Sequence, residues 1–175
     1  MSRSTGRHGW TLVSAVMALS AFLGVAHAQG SEATLSNARL RQPRDRAFLT
    51  SAIRGAARRL GDPRCQELLG ELHDRSRRPL RETLEAEGLS APAFLDHLFF
   101  YDGTEAGCGA HRLAYTVPGY RVVYICSSRF RDVYQRNASL AEVAVVHEAL
   151  HCLGLGENPP TPQQINARVQ AACRD

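Results

Sequence analysis

Apolar residues recur at helical spacing through the N-terminal half of the chain. They predict one helix over residues 45–60, ended by the turn sequence GDP, and a second from residue 65 to about 73. A third is predicted over 80–87, closed by Gly88, and a fourth after Ser90. The apolar positions on these faces include Phe48, Ile53, Ala56, Leu60, Leu68, Leu72, Phe94, Leu95, Leu98 and Phe99.

A different pattern begins after residue 108. The segment RLAYTVPGYRVVYIC, residues 112–126, contains two runs rich in β-branched and aromatic residues around Pro118-Gly119. Such runs on either side of a Pro-Gly turn predict a β-hairpin. Cys108 and Cys126 flank the runs, and a disulfide between them would join the base of the hairpin, given a bulge or a bend.

The segment from Leu140 to about Leu153 predicts a buried helix. Ser139 and Glu142 have the spacing of a capping box, and Gly154 supplies the stop. From residue 143 to 153 the side chains are apolar almost all round, which is typical of a helix without a solvent face. The exceptions besides a cysteine are His147, Glu148 and His151.

A last helix is predicted from Thr161, with a first-turn proline and a box-closing Gln164. Its apolar stripe is Ile165, Val169 and Cys173. Together these elements predict an α+β fold in one domain over residues 29–175. Its parts are a loose leader (29–43), a helical part (44–100), and a region (108–175) with the hairpin, the buried helix and the C-terminal helix.

Residues 1–28 have the layout of a secretory signal peptide. Basic residues precede an apolar run that is short for a membrane span, and the run ends in Ala26-His27-Ala28, a small-residue cleavage pattern. No later segment is apolar enough to cross a bilayer. We therefore expect a secreted or periplasmic protein with no stable membrane insertion after cleavage.

Export allows the cysteines to form disulfides. The chain has five, so at most two bridges form and one thiol remains. Besides Cys108 with Cys126, we expect Cys65 with Cys173. This leaves Cys152, on the predicted buried helix, as a small core residue.

The charge pattern does not indicate a nucleic-acid partner. The formal net charge is +4, all 21 basic residues are arginine, and the arginines alternate with acidic residues along the chain. Such mixing is typical of solvated helical surfaces.

The sequence HEALH, residues 147–151, has the residue types of a zinc site. Two histidines at i and i+4 lie on one helix face, so His147 and His151 can bind one ion. Glu148 can then act as the general base on a zinc-activated water. The alternative is a pair of buried histidines satisfied by neighbouring polar groups, but burying them with a carboxylate on an apolar helix is costly unless something pairs them.

A catalytic zinc takes a third protein ligand. Downstream of His151 there is no histidine, and the acidic residues are Glu157 and Asp175. Glycines at 154 and 156 give the chain a route back to the ion, so we predict Glu157 as the third ligand. His111 and Asp175 are the next residues to test.

The stretch HEALHCLGLGE resembles the zincin metallopeptidases. It matches the metzincin pattern H-E-x-x-H-x-x-G-x-x-H through its glycine, with Glu157 where that family has its third histidine. The region Val122–Pro160 is also similar to small exported bacterial proteins presumed to be metallopeptidases. Methionine is absent after residue 17, so the metzincin Met-turn is missing.

The resemblance implies a zincin-like fold and a zinc-dependent peptidase that acts on a peptide or protein substrate. It also implies that the strand Arg121–Ile125 is the edge strand that pairs with substrate. Tyr124, Arg129 and Tyr134 are candidate oxyanion stabilisers, although packing roles are open for each. No prediction of oligomeric state follows.

Two other functions remain open from the sequence. One is a non-catalytic exported domain in which a structural or vestigial zinc site serves binding. The other is an interaction module that acts through the arginine-rich N-terminal helices.

Overall fold

A computed structural model describes residues 37–105 and 107–174, which belong to one compact unit. The predicted signal peptide, most of the predicted leader and Asp175 lie outside these residues. The described part is an α+β structure, as predicted. Its helices are α1 (Pro43–Gly61), α2 (Pro63–Glu71), α3 (Leu80–Glu87), α4 (Ala91–Phe94), α5 (Ser127–Arg136), α6 (Ala138–Cys152) and α7 (Pro162–Ala172). Its strands are β1 (Ala38–Arg39), β2 (Phe99–Asp102), β3 (Ala114–Thr116) and β4 (Val122–Ile125).

The four strands form one mixed sheet in the order β1-β2-β4-β3. β1, β2 and β4 run parallel, whereas β3 is antiparallel to β4, with Tyr115 opposite Tyr124. The β3–β4 pair is the predicted hairpin. Because side chains alternate along a strand, Phe100, Val123 and Ile125 are fully buried on one face, and the tyrosines line the other.

Helix α6 lies at the centre of the described core. It packs against α1, α5, α7 and strand β3, so solvent reaches almost none of its middle turns. The prediction of a buried helix over this segment is confirmed. Since its middle turns are buried, their few polar groups need partners within the protein.

The predicted capping box at the start of α6 is wrong. Asn137 is the N-cap, its side chain accepts from the amide of Leu140, and the helix begins at Ala138. Ser139 and Glu142 instead bind Arg59 of α1, whose guanidinium reaches Ser139 Oγ at 3.0 Å and Glu142 Oε2 at 2.8 Å. A buried arginine needs such partners, and this need outweighs local capping.

Glu142 and Arg59 are both buried, so the pair fixes α6 against α1. The guanidinium also donates to the carbonyl of Cys173 at 2.9 Å, which links both helices to the end of α7. Gly55 makes room for this arrangement, because a β-carbon there would collide with the carboxylate of Glu142.

Four elements differ from the sequence prediction: the fourth helix, α5, β1 and β2. The fourth helix ends at Phe94 and is followed by a 3₁₀ turn, so Leu98 and Phe99 are not on a helix and Phe99 starts β2. Helix α5 was not predicted, because only Phe130 of its residues is a large buried apolar side chain. Strand β1 lies within the segment predicted as a leader. Both β1 and β2 form because they pair with strands that are distant in the sequence, which local patterns do not reveal.

Both predicted disulfides are present. Cys65–Cys173 joins α2 to the C-terminal end of α7, and Cys108–Cys126 joins the loop before β3 to the start of α5. Cys152 is a buried free thiol, and burial raises its pKa to about 12. Two disulfides indicate an oxidising environment. Among the described helices, none has the length and apolarity that a membrane span requires.

Removing Cys65–Cys173 by a double Cys→Ala change should destabilise the protein more than removing Cys108–Cys126. The bridged residues are 108 apart in the first case and 18 in the second. Loop-closure entropy gives about 4.7 kcal/mol for a 100-residue loop and about 3 kcal/mol for a 15-residue loop. Urea unfolding of the two variants beside the intact protein measures the difference; equal losses would contradict this entropic account.

Candidate metal centre

Helix α6 places His147 and His151 one turn apart on the same face. Their Nε2 atoms are 3.0 Å from each other. Oε1 of Glu157 lies 3.2 Å from Nε2 of His151 and 3.9 Å from Nε2 of His147. The three residues predicted as ligands therefore converge, and among the described residues they form a group that could hold a metal ion.

Glu157 reaches the histidines because the chain reverses after α6. Gly154 has φ +109°, a conformation that side chains disfavour, and the amide of Leu155 donates back to the carbonyl of Leu150 at 3.0 Å. Leu155 then forms a β-bridge with Asp74 in the connection between α2 and α3. The N-terminal helical part thus holds the turn that carries Glu157.

Each histidine has a partner on its other ring nitrogen. Nδ1–H of His147 donates to Oδ1 of Asn166 on α7 at 2.8 Å, and Nδ1–H of His151 donates to the carbonyl of Leu155 at 2.7 Å. Both acceptors are oxygens, so the Nδ1 atoms carry the protons and the Nε2 atoms keep their lone pairs. Metal-binding histidines are oriented in this way.

The geometry fits a small cation. Three lone pairs, two from imidazoles and one from a carboxylate, point into the same space and repel each other unless a positive charge lies between them. A tetrahedral zinc with bonds of about 2.0–2.1 Å would separate its ligand atoms by about 3.3–3.4 Å. The separations here, 3.0, 3.2 and 3.9 Å, bracket that value.

Burial sets the protonation of the neighbouring groups. It lowers the pKa of His147 to about 4, and the second histidine adds to this effect, so the ring is neutral at pH 7 and can donate its lone pair. Burial raises the pKa of Glu148 to about 8, with a further rise from the charge of Glu157 and an opposing effect from Arg112. A nearby dication would favour the ionised form of Glu148.

The cluster lies in a cleft of about 550 Å³. One wall is the edge strand β3 with the loop before it, and another includes Arg75 and Pro162. The amide of Gly119, in the β3–β4 turn, donates to the carbonyl of His151 at 2.8 Å and ties the edge strand to the end of α6. The predicted edge strand, Arg121–Ile125, is instead β4, which is paired on both sides.

The three predicted oxyanion stabilisers do not line the cleft. Tyr124 stacks on Tyr115, with ring centroids 5.0 Å apart, and Tyr134 packs on Phe48. Arg129 donates to the carbonyls of Gly109 and Arg112 and so fixes the loop before β3. These are the packing roles that the sequence left open.

His111 lines the cleft but is outside the cluster of three ligand atoms, and Asp175 lies outside the described residues. Sequence reasoning missed three residues that the fold brings to the site: Asn166, Arg75 and Arg112. Asn166 is one turn into a predicted helix, at the polar flank of its apolar stripe. The two arginines are in loops without a motif, so no local signal could have distinguished them from other arginines.

Asn166→Ala should weaken metal binding by about 10- to 100-fold, because His147 loses the acceptor that orients its ring. Asn166→Asp keeps an acceptor and should restore most of the affinity. Gln163→Ala, an exposed change on the same helix, is the matched control. Competition with a chromogenic chelator measures the affinity, and an unchanged Asn166→Ala value would exclude this orienting role.

Glu148→Gln should change how the stability of chelator-treated protein depends on pH. The folded protein holds the Glu148 proton up to a pKa of about 8, against an ordinary value of 4.5, so the wild type loses stability as pH rises between these values. Glutamine has no such proton. The free energy of unfolding of Glu148→Gln, relative to that of the wild type, should therefore increase from pH 5 to pH 8. Urea unfolding at both pH values gives this difference, and a constant difference would show that Glu148 ionises as freely as in water.

No known protein family matches the chain, and no curated protein and no solved structure is significantly similar to it. What the centre can do is therefore inferred from its own geometry. Two imidazoles and a carboxylate converge at an open cleft, with a second, buried carboxyl group next to the first histidine.

Proposed function

We propose that the protein is an exported zinc-dependent metallopeptidase of the zincin type. His147, His151 and Glu157 hold the ion, and Glu148 is the general base. The observation that carries the proposal is the convergence of three ligand atoms in a cleft beside an edge strand, with Glu148 next in sequence to a ligand.

The donor set favours zinc. Two imidazole nitrogens and one carboxylate oxygen are ligands that zinc accepts, whereas calcium and magnesium prefer oxygen alone. Structural zinc sites are closed by four protein ligands, and catalytic sites keep one position open. The described residues supply three ligand atoms, and Glu157 is 42% exposed towards solvent. Both features support a catalytic centre over the alternative, a purely structural site that serves binding.

Glu148 has the position that a general base needs. It is buried, lines the cleft and lies about 100° around the helix from His147, so it can face the reacting water without being a ligand. A zinc ion would supply Lewis-acid polarisation of a peptide carbonyl and make water acidic enough to react near neutral pH. The Glu148 carboxylate accepts the proton of the attacking water and can deliver it to the departing amine.

The edge strand supports an extended peptide as substrate. β3 pairs with β4 on one side only within the described sheet, and its other side borders the cleft. A peptide can add to such an edge through main-chain hydrogen bonds, which do not depend on side chains. Its carbonyl groups would then pass next to Glu148 and the ligands.

Export is part of the proposal. The two disulfides indicate an oxidising environment, and the N-terminal 28 residues have the layout of a signal peptide. We infer a secreted or periplasmic enzyme. The similarity of HEALHCLGLGE to the metzincin pattern agrees with the ligand set, with glutamate in place of the third histidine.

Two glutamate variants separate the ligand from the base. Glu157→Gln should lose most of its bound zinc, because a neutral amide oxygen is a poor substitute for a carboxylate on a dication. Glu148→Gln should keep about one zinc per chain while hydrolysis of a peptide library falls by roughly 10²- to 10⁴-fold, the usual contribution of a general base. Metal analysis and mass-spectrometric detection of cleavage measure the two quantities.

Glu82→Gln, an exposed change on α3, controls for the loss of one carboxylate. A Glu157→Gln protein that binds zinc as tightly as the wild type would remove Glu157 from the ligand set. Cleavage that persists undiminished in Glu148→Gln would show that the activity does not come from this centre.

A further inference from the structure

The loop before β3 holds Arg112 in a defined place on the cleft wall. The disulfide at Cys108 anchors the loop, and Arg129 of α5 donates to the carbonyl of Arg112 itself at 2.9 Å. The Arg112 guanidinium lies over the ring of Tyr115, 5.5 Å from its centroid, and donates to the carbonyl of Gly107 at 3.2 Å. Arg112 is thus an exposed arginine whose backbone and guanidinium are both held by contacts within the protein.

Arg75 lines the same cleft from another wall. It lies in the connection between α2 and α3, directly after Asp74, whose bridge to Leu155 fixes this connection beside the turn that carries Glu157. Its Cγ atom lies 3.6 Å from the point that a β-carbon on Gly156 would occupy. The side chain is exposed, so its guanidinium can reach a bound molecule.

Neither guanidinium has a carboxylate partner among the described residues. Two arginines outside the cleft do have one: Arg168 pairs with Glu71 at 2.7 Å, and Arg41 pairs with Glu105 at the same distance. The cleft has two carboxylates of its own, Glu148 and Glu157, and the proposed function uses both. Two cationic side chains on the walls of this cleft therefore form no ion pair among the described residues, although the charge of Arg112 opposes the rise that burial causes in the pKa of the nearby Glu148 carboxyl.

We propose that Arg75 and Arg112 bind a carboxylate of the substrate, so that the cleft selects acidic peptides. The planar guanidinium matches a carboxylate with two hydrogen bonds, which makes it the usual residue for this recognition. The inference rests on the proposed function and specifies its substrate class. The carboxylate can come from an Asp or Glu side chain or from the C-terminus of the peptide.

Matched peptides distinguish these sources. A cleaved peptide is varied one position at a time from Gln to Glu and to Lys, each with a free and an amidated C-terminus. Glu at the recognised position should raise kcat/KM by about 3- to 10-fold over Gln, the range expected for a partly exposed charge pair. The gain should be a lower KM with an unchanged kcat, because a contact remote from the scissile bond is equally strong in the bound substrate and in the transition state. If the free C-terminus is the recognised carboxylate, amidation of the peptide should instead lower kcat/KM by a similar factor.

Arginine variants assign the effect to the two residues. Arg112→Gln and Arg75→Gln should each reduce the preference for carboxylate, and Arg112→Glu should shift it towards Lys peptides. Arg112→Lys should restore part of the preference, since it keeps the charge but not the planar geometry. Arg54→Gln, an exposed change on α1 outside the cleft, controls for the lower net charge.

Binding to a Glu148→Gln protein gives a measurement that does not depend on turnover. Fluorescence anisotropy of labelled Glu and Gln peptides, with the metal present and after chelation, should show tighter binding of the Glu peptide that is lost in Arg112→Gln. Equal binding of the Glu, Gln and C-terminally amidated peptides, or a preference for carboxylate that survives both arginine variants, would overturn this inference. A zinc-loaded wild type that cleaves no peptide would overturn the proposed function instead, and the binding assay separates the two results.

Discussion

The burial of His147, Glu148 and His151 on a helix without a solvent face is the constraint on which the structure depends. Each buried polar group without a partner costs about 1–3 kcal/mol, and an isolated charge costs more. Asn166 and the Leu155 carbonyl satisfy the outer nitrogens of the rings, and the inner nitrogens face Glu157. A shared cation would satisfy all the inner lone pairs at once.

The remainder of the fold holds these partners in place. The buried contact of Arg59 with Glu142 fixes α6 against α1, and its bond to the Cys173 carbonyl extends this contact to α7. Cys65–Cys173 joins the same end of α7 to α2, whose following loop pairs with the turn before Glu157. The helical N-terminal part is thus a support for the centre, although it supplies none of the three ligands.

Contacts within the protein also hold the wall of the cleft in place. β3 is a short edge strand, and the Gly119 amide attaches its turn to the carbonyl of His151. The ring of Tyr115 stacks on Tyr124 and also contacts the guanidinium of Arg112, so β3, β4 and the loop before β3 are joined by one row of contacts. This row gives Tyr124 a role in positioning the wall, in place of the chemical role that its residue type had suggested.

The sequence alone determined the features that short-range physics controls: the buried helix, the hairpin around Pro118-Gly119, the capping box of α7 and the i, i+4 histidine pair. The hairpin suggested the pairing of Cys108 with Cys126, and the expected pairing of Cys65 with Cys173 is also present. Tertiary structure decided the rest. Ser139 and Glu142 had the local form of a cap, but a buried arginine 80 or more residues away bound both. Arg75 and Arg112 carry no local signal, because only the folded chain brings the two loops to one cleft.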